Sequence, residues 1–171
     1  MGVDWPRAEV TTTGRLRLEP ITAAHAPAMC AVLADPALYT VIGGQPPDLA
    51  SLTRRYAALA GQRSPDGTQA WLNWAVLLRA GGAAVGTVQA TVVAEGGRLV
   101  AELAWIVGVR HQGNGYAREA AGAVRGWLAA RGVDRFRAHI HPGHAASARV
   151  AAAIGLAPSE QWQDGERRWV G

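Results

Sequence analysis

The segment Val107 to Glu119, VGVRHQGNGYARE, runs from a strand into a helix through the loop Arg110-His111-Gln112-Gly113-Asn114-Gly115. Two glycines at such a junction let the backbone come close to a ligand. The free N–H groups and the dipole of the first helical turn then favour an anion. Arg110 and Arg118 flank the junction and add positive charge. Pyrophosphate suits this arrangement, although a bare glycine turn holding no ligand would use the same residues. Two other phosphate-binding loops are excluded by residue identity. A dinucleotide fingerprint needs glycine where Arg118 stands, and a Walker loop needs a lysine, which the chain lacks.

Outward from this loop the hydrophobic period alternates between strand and helix. Upstream, Arg15–Glu19 reads as a first strand. A helix follows from an N-cap at Thr22 to about Leu33, with Met29, Val32 and Leu33 inward, ended by Asp35-Pro36. The segment 43–47, GGQPP, is a loop. A second helix starts near Asp48, with Leu49, Leu52, Tyr56 and Leu59 on one stripe and Gly61 as its stop. Trp74–Arg79, Ala84–Val93 and Leu99–Val107 read as three strands joined by the turns Gly81-Gly82 and Gly96-Gly97. Downstream, a long helix spans Gly115 to Arg131. Phe136–His141 is a strand, Ala145–Ile154 a short helix, and Asp164-Gly165 turns a tail hairpin bearing Trp162 and Trp169. This order predicts a mixed α/β (α+β) fold with an antiparallel centre, distinct from the strict alternation of doubly wound folds.

The 171 residues fit a single domain spanning 1–171, and 49% apolar with 18% charged residues is a globular composition. The single cysteine, Cys30, excludes an intrachain disulfide and a multi-cysteine zinc cluster; it suits a reducing compartment and reads as a small core residue. No apolar run approaches the length of a membrane span, and the first ten residues, with Asp4 and no apolar segment, do not read as a secretion signal. Met1-Gly2 opens like an acylation site, but Pro6 stands where serine or threonine is wanted. The expected location is cytoplasmic, with no membrane partner. All 17 basic side chains are arginine, spread along the chain, and the net charge is only +4. Arginine suits bidentate phosphate contacts, so this balance fits a phosphate-bearing cofactor and gives little support to nucleic-acid binding, tRNA being the one such partner kept open.

Four segments in order resemble the GNAT superfamily of N-acetyltransferases. Arg110 through Ala117 resembles its R/Q-x-x-G-x-G/A acetyl-CoA motif. Gly115-Tyr116-Ala117-Arg118-Glu119-Ala120 resembles the G-Y-A-x-E-A form of the Rim-type ribosomal-protein alanine acetyltransferases and their antibiotic-modifying relatives. Thr13–Thr22, the stretch Ala101-Glu102-Leu103-Ala104-Trp105, and Ser147–Leu156 are similar to that branch's opening strand, A-E-L-G-Y-W strand and S-x-R-V helix. The resemblance implies a central mixed, mostly antiparallel sheet of about seven strands flanked by about four helices. It also implies a sheet splayed between the fourth strand, Leu99–Val107, and the fifth, Phe136–His141, to admit the pantetheine arm of acetyl-CoA.

The resemblance implies site residues as well. Backbone amides from Gln112 through Gly113, Asn114, Gly115, Tyr116 and Ala117 would hold the pyrophosphate, with Arg110 beside them. The main chain of Val107 and Val109 would pair with pantetheine. Glu102, a carboxylate in an otherwise apolar strand, would be the general base acting through water, where the bland alternative is an exposed strand residue. Ser147, which also reads as a first-turn serine satisfying backbone donors, would hydrogen-bond the departing thiolate. His144 stands where the branch has the asparagine that bonds pantetheine. It reads as a ring donor, an acid or base, or an ordinary loop residue. His139, His141 and His144 have a spacing a zinc site could use, but the fold accounts for the segment without a metal; His139 or His141 could instead line the acceptor pocket. Trp74 and Trp105 are expected in the core, and Trp71 and Tyr39 fall in segments that shape the branch's acceptor site. The implied reaction is acetyl transfer from acetyl-CoA to a primary amine, on a small molecule or a protein N-terminus, by direct attack in a ternary complex. A non-catalytic CoA-binding module and a transferase drawing on aminoacyl-tRNA are the alternatives. The chain is expected to be a monomer, or a homodimer through the tail hairpin.

Overall fold

The computed structural model describes residues 3–171; the Met1-Gly2 reading lies outside them. Eight strands form one sheet in the order β1-β2-β3-β4-β5-β6-β8-β7. They are β1 (Thr11–Thr12), β2 (Leu16–Pro20), β3 (Ala70–Leu78), β4 (Ala84–Glu95), β5 (Arg98–Val107), β6 (Val133–Ile140), β7 (Ala157–Gln163) and β8 (Glu166–Val170). Every neighbouring pair is antiparallel except β5 and β6. The predicted strands are all present. The expected fourth and fifth strands are β5 and β6 here, because the two-residue β1 pairs with the start of β2 and is too short to show a period.

Five α-helices accompany the sheet: α1 (Ala26–Val32), α2 (Tyr39–Ile42), α3 (Leu49–Leu59), α4 (Tyr116–Ala129) and α5 (Ala145–Ala153). The first predicted helix opens as a 3-10 turn, Ala23–His25, and becomes α-helical only at Ala26. Asp35 does not merely end it. Its side chain accepts the N–H of Ala37 and starts a second 3-10 turn, Pro36–Leu38, leading into the four-residue α2. That short element has no room for a helical period, so the sequence pattern did not reveal it. The predicted second helix is α3; Asp48 caps it by accepting the Ser51 N–H, and Leu49 is exposed rather than on the buried stripe. Gln62, not Gly61, takes the left-handed backbone conformation after α3.

Both faces of the central strands are covered, so β3 reads as a buried run through Trp74, Ala75 and Val76. On one face Ala120, Ala121, Val124 and Leu128 of α4 pack with Leu16, Leu18, Leu72, Trp74, Leu103 and Phe136. Leu128 is fully buried, and truncating such a side chain costs about 2–5 kcal/mol. On the other face Met29 and Leu33 of the first helical segment meet Leu52 and Tyr56 of α3. Trp74 is fully buried and stacks edge-on against Trp127. Cys30 is only half-buried, beside the carbonyl of Pro47.

The parallel pair β5–β6 is made through α4, the crossover such a pair requires. Its ladder runs from Leu99–Val133 to Glu102–Arg137 and then stops, although β5 continues to Val107 and β6 to Ile140. Past Glu102 the two strands part while β5 stays paired with β4 up to Val107. One contact holds the β4 side of this edge tight: a Cβ on Gly86 would lie 2.0 Å from the carbonyl oxygen of Ile106. Only glycine lets β4 approach there.

Candidate functional site

The gap between β5 and β6 opens into a cleft of about 620 Å³ between the end of β5, the N-terminus of α4, α5 and the α2 segment. Along β5 the Gly108 N–H donates to the Val85 carbonyl at 2.9 Å. By antiparallel alternation the N–H and C=O of Val107 therefore point away from β4, into the gap. The Gln112 side-chain amide donates to that Val107 carbonyl at 3.0 Å. Trp105, two residues earlier, shares this edge and lines the cleft, half-buried rather than in the core as expected. Val109, expected to continue the edge, lies in a 3-10 turn spanning Val109–His111; its carbonyl accepts the Gln112 N–H and its side chain is exposed.

At the far end of the cleft α4 begins without a side-chain cap. Its first bond is from the Glu119 N–H to the Gly115 carbonyl, 3.1 Å, so the amides of Tyr116, Ala117 and Arg118 precede the helical ladder. Gly113 and Gly115 both have φ of +79°, a left-handed conformation that lets successive loop amides converge. Nothing lies within 4 Å of a Cβ on Gly113, so this conformation alone calls for glycine there. Asn114 is exposed, and its side chain donates to the carbonyls of His111 and Gln112, shaping the loop. Arg15 braces the same loop from β2's approach, donating to the Asn114 carbonyl at 2.9 Å and sitting over the Tyr116 ring. Glu119 in turn binds Arg15 and the Thr13 hydroxyl. Burial of Glu119 alone would raise its carboxyl pKa, but the bonds from Thr13 and Arg15 outweigh it and hold the group below its ordinary value.

Arg118 and Arg149 line the cleft, and neither has an acidic partner among the described residues. A second groove of about 780 Å³ shares Gly115, Arg118 and Ala153 with the first. It continues over α4 past Gly122, Arg125 and Gly126 to Gly155. The Nε of Arg125 is buried there without a hydrogen-bond partner. Among the described residues, the joined grooves thus present three arginines, Arg118, Arg125 and Arg149, lacking a carboxylate partner along one path from the loop.

On the opposite wall Ser147 and His144 line the cleft from α5. The His144 ring caps the helix: Nδ1 accepts the Ser147 N–H at 3.3 Å, which places the proton of the neutral ring on Nε2. Of the other two histidines, His141 bends back to the Gly143 N–H at its own turn and His139 faces the opposite side of the sheet, so the three rings do not converge. Tyr39 is tied to the Leu33 carbonyl and packs in the second core; its neighbours Leu38, Val41 and Ile42 line the cleft instead.

Glu102 lies on the sheet face opposite α4, half-exposed, at the last rung of the β5–β6 ladder and outside the cleft lining. Its Oε1 accepts from His139 Nδ1 at 3.0 Å and its Oε2 from Arg137 Nε at 3.3 Å.

The sequence profile of the acetyltransferase (GNAT) domain family matches residues 15–157. The chain belongs to the GNAT acetyltransferase family. Solved structures of similar fold include an acetyltransferase from Agrobacterium tumefaciens, 25% identical, covering 100% of this chain and 98% of its own, with a TM-score of 0.72. A GNAT-family acetyltransferase from Bacillus anthracis is 17% identical over 95% of this chain and 96% of its own, with a TM-score of 0.75. RimL, a ribosomal L7/L12 α-N-protein acetyltransferase in complex with coenzyme A, is 15% identical over 95% and 97%, with a TM-score of 0.77. No curated protein sequence matches the chain significantly. Among the described residues no single helix is long and apolar enough to cross a membrane.

Within this GNAT chain, the cleft gathers Val107, Gln112, Gly113, Gly115, Tyr116, Ala117, His144 and Ser147 of the residues singled out from the sequence. Val109, Arg110, Asn114 and Glu102 stand outside its lining. The sequence reading missed Arg15, Arg149 and the cleft-facing α2 residues. Their contacts depend on elements distant along the chain, and an arginine or a leucine carries no local motif.

Proposed function

We propose that this GNAT protein is an acetyl-CoA-dependent N-acetyltransferase that passes an acetyl group to a primary amine, on a small molecule or a protein N-terminus, in a ternary complex. One observation carries the reading: the β5 edge freed beyond Glu102 runs directly to an uncapped helix N-terminus bordered by arginines without acidic partners. A pantetheine arm is an amide-bearing chain that can add to such an edge, and a pyrophosphate is the anion such a terminus favours.

The edge groups of Val107 and Trp105 would bond the pantetheine once the Gln112 amide lets go of the Val107 carbonyl. The loop amides from Gln112 to Ala117 would hold the pyrophosphate, and Arg118 and Arg125 would meet the remaining phosphate of the nucleotide end. His144 would donate from Nε2 toward the pantetheine, in the role the family's asparagine has. The amine nitrogen attacks the thioester carbonyl carbon, the C–N bond forms, and the C–S bond breaks. An N–H from the β5 edge would polarise the carbonyl. Glu102 would take the proton from the amine through a water, and the Ser147 hydroxyl would donate to the departing sulfur.

Calorimetric titration with acetyl-CoA, beside CoA and dephospho-CoA, tests the binding half. Micromolar binding, weakened in dephospho-CoA and lost in Gly113→Asp, supports the reading; no binding at millimolar ligand overturns it. Release of free CoA thiol on adding a panel of primary amines and N-terminal peptides tests the transfer.

A further inference from the structure

The imidazole of His139 is almost fully buried, 7% exposed, on the sheet face opposite α4. Three strands bring its partners to it. Arg168 of β8 is its direct register partner, Glu102 is on β5, and Arg137 lies two residues away on the same face of β6. Arg168 Nε donates to His139 Nε2 at 3.1 Å. A guanidinium has only donors, so Nε2 must accept and the ring proton must sit on Nδ1. That Nδ1–H points at Glu102 Oε1, 3.0 Å away. Arg168 is itself steadied by Gln161 at 2.7 Å, and Arg137 links Glu102 to Glu95. The result is a chain, Gln161–Arg168–His139–Glu102, in which each group fixes the next.

We infer that His139 is a positioning residue: locked in one tautomer by Arg168, it holds the Glu102 carboxylate at the mouth of the splay in the orientation that receives the acceptor's proton. This rests on the general-base reading of Glu102. A surface carboxylate with rotamer freedom would occupy that orientation only part of the time. The His139 bond also consumes Oε1, leaving Oε2, held by the longer Arg137 contact, as the oxygen that gives way to a water. His139 transfers no proton in this scheme, because its Nδ1 already carries one and its Nε2 is occupied.

Two substitutions separate positioning from packing. The amide nitrogen of asparagine sits where Nδ1 does, so His139→Asn keeps a donor for Glu102. The amide of glutamine reaches the Nε2 position, so His139→Gln keeps a partner for Arg168 and leaves Oε1 without its donor. With the best amine of the panel, His139→Gln is expected to lower kcat about tenfold with unchanged acetyl-CoA affinity, and His139→Asn to restore most of the loss. Arg168→Leu, which leaves the ring in place but frees its tautomer, is expected to give an intermediate fall in kcat and a changed pH–rate profile. The inference is overturned if His139→Gln and His139→Asn turn over equally, or if rate and melting temperature fall together in all three variants. Glu102→Gln is the control. If it turns over as fast as the wild type, the general-base reading falls and takes this inference with it. If Glu102→Gln is slow and His139→Gln is not, the inference alone falls.

Discussion

His144 accepts the backbone N–H of Ser147 through its Nδ1 at 3.3 Å, so the residue that departs from the family's asparagine is the N-cap of α5. An imidazole and an asparagine amide both offer an acceptor that can cap the helix and a nitrogen that can donate. In the proposed cofactor site the ring would donate from Nε2, farther from the backbone than an asparagine amide would.

His144→Ala should lower stability by roughly 1 kcal/mol through the lost cap, about 2–4 °C in a chain of this size. It should also weaken acetyl-CoA binding. His144→Asn should keep both. Thermal unfolding and titration calorimetry on the two variants read this directly, and equal affinities in wild type and His144→Ala would remove the ring from the cofactor site.

Glu102 and Ser147 occupy opposite sides of the splay and act on different bonds in the proposed reaction. Glu102→Gln is expected to lower kcat while leaving acetyl-CoA affinity within about twofold. Ser147→Ala should do the same, most strongly for amines whose attack makes thiolate departure limiting. Steady-state kinetics at a pH where chemistry limits the rate checks both. Unchanged turnover in either variant removes that residue from the mechanism.

Gly86 keeps the β5 edge in place from the β4 side. A methyl group there would have to occupy the space of the Ile106 carbonyl, 2.0 Å away, so the strands must move apart. Gly86→Ala should cost about 1–3 kcal/mol or more and weaken acetyl-CoA binding, because the displaced segment carries the Val107 edge. A melting temperature equal to the wild type's would contradict this.

The Glu119 carboxyl sits below its ordinary value of 4.5 because the bonds from Thr13 and Arg15 outweigh the opposing effect of burial. A carboxyl lowered in the folded state contributes stability above its unfolded value, and this is lost as pH falls through the folded one. The wild type should therefore melt higher than Glu119→Gln at neutral pH, and the difference should shrink below about pH 4.5. A difference that stays constant into acid would show that the charge plays no part in the brace.

The fold was legible wherever a period had room to show itself. The β3–β4–β5 meander and the long α4 carry several turns or rungs of alternating burial, and their ends coincide with the predicted ones within a few residues. The glycine loop was legible because its constraint is local: a left-handed backbone and free amides depend on neighbours in sequence. Val109 shows where this fails. Its spacing from Val107 suits a continued strand, but a 3-10 turn starts at Val109 itself, capped by Gly108, and turns the chain away. The four-residue α2 and the cleft-lining Val41 and Ile42 were invisible for the same reason that β1 was.

From its sequence alone this chain determined its family resemblance, the order of its elements and the identity of the loop at Gly113 and Gly115, because these rest on local backbone preference and on hydrophobic period. Only the tertiary structure decided that β5 and β6 part after Glu102, and that Arg168, His139 and Glu102 stand in line. Those relations join residues dozens of positions apart, and sheet register, not composition, brings their side chains to the same face.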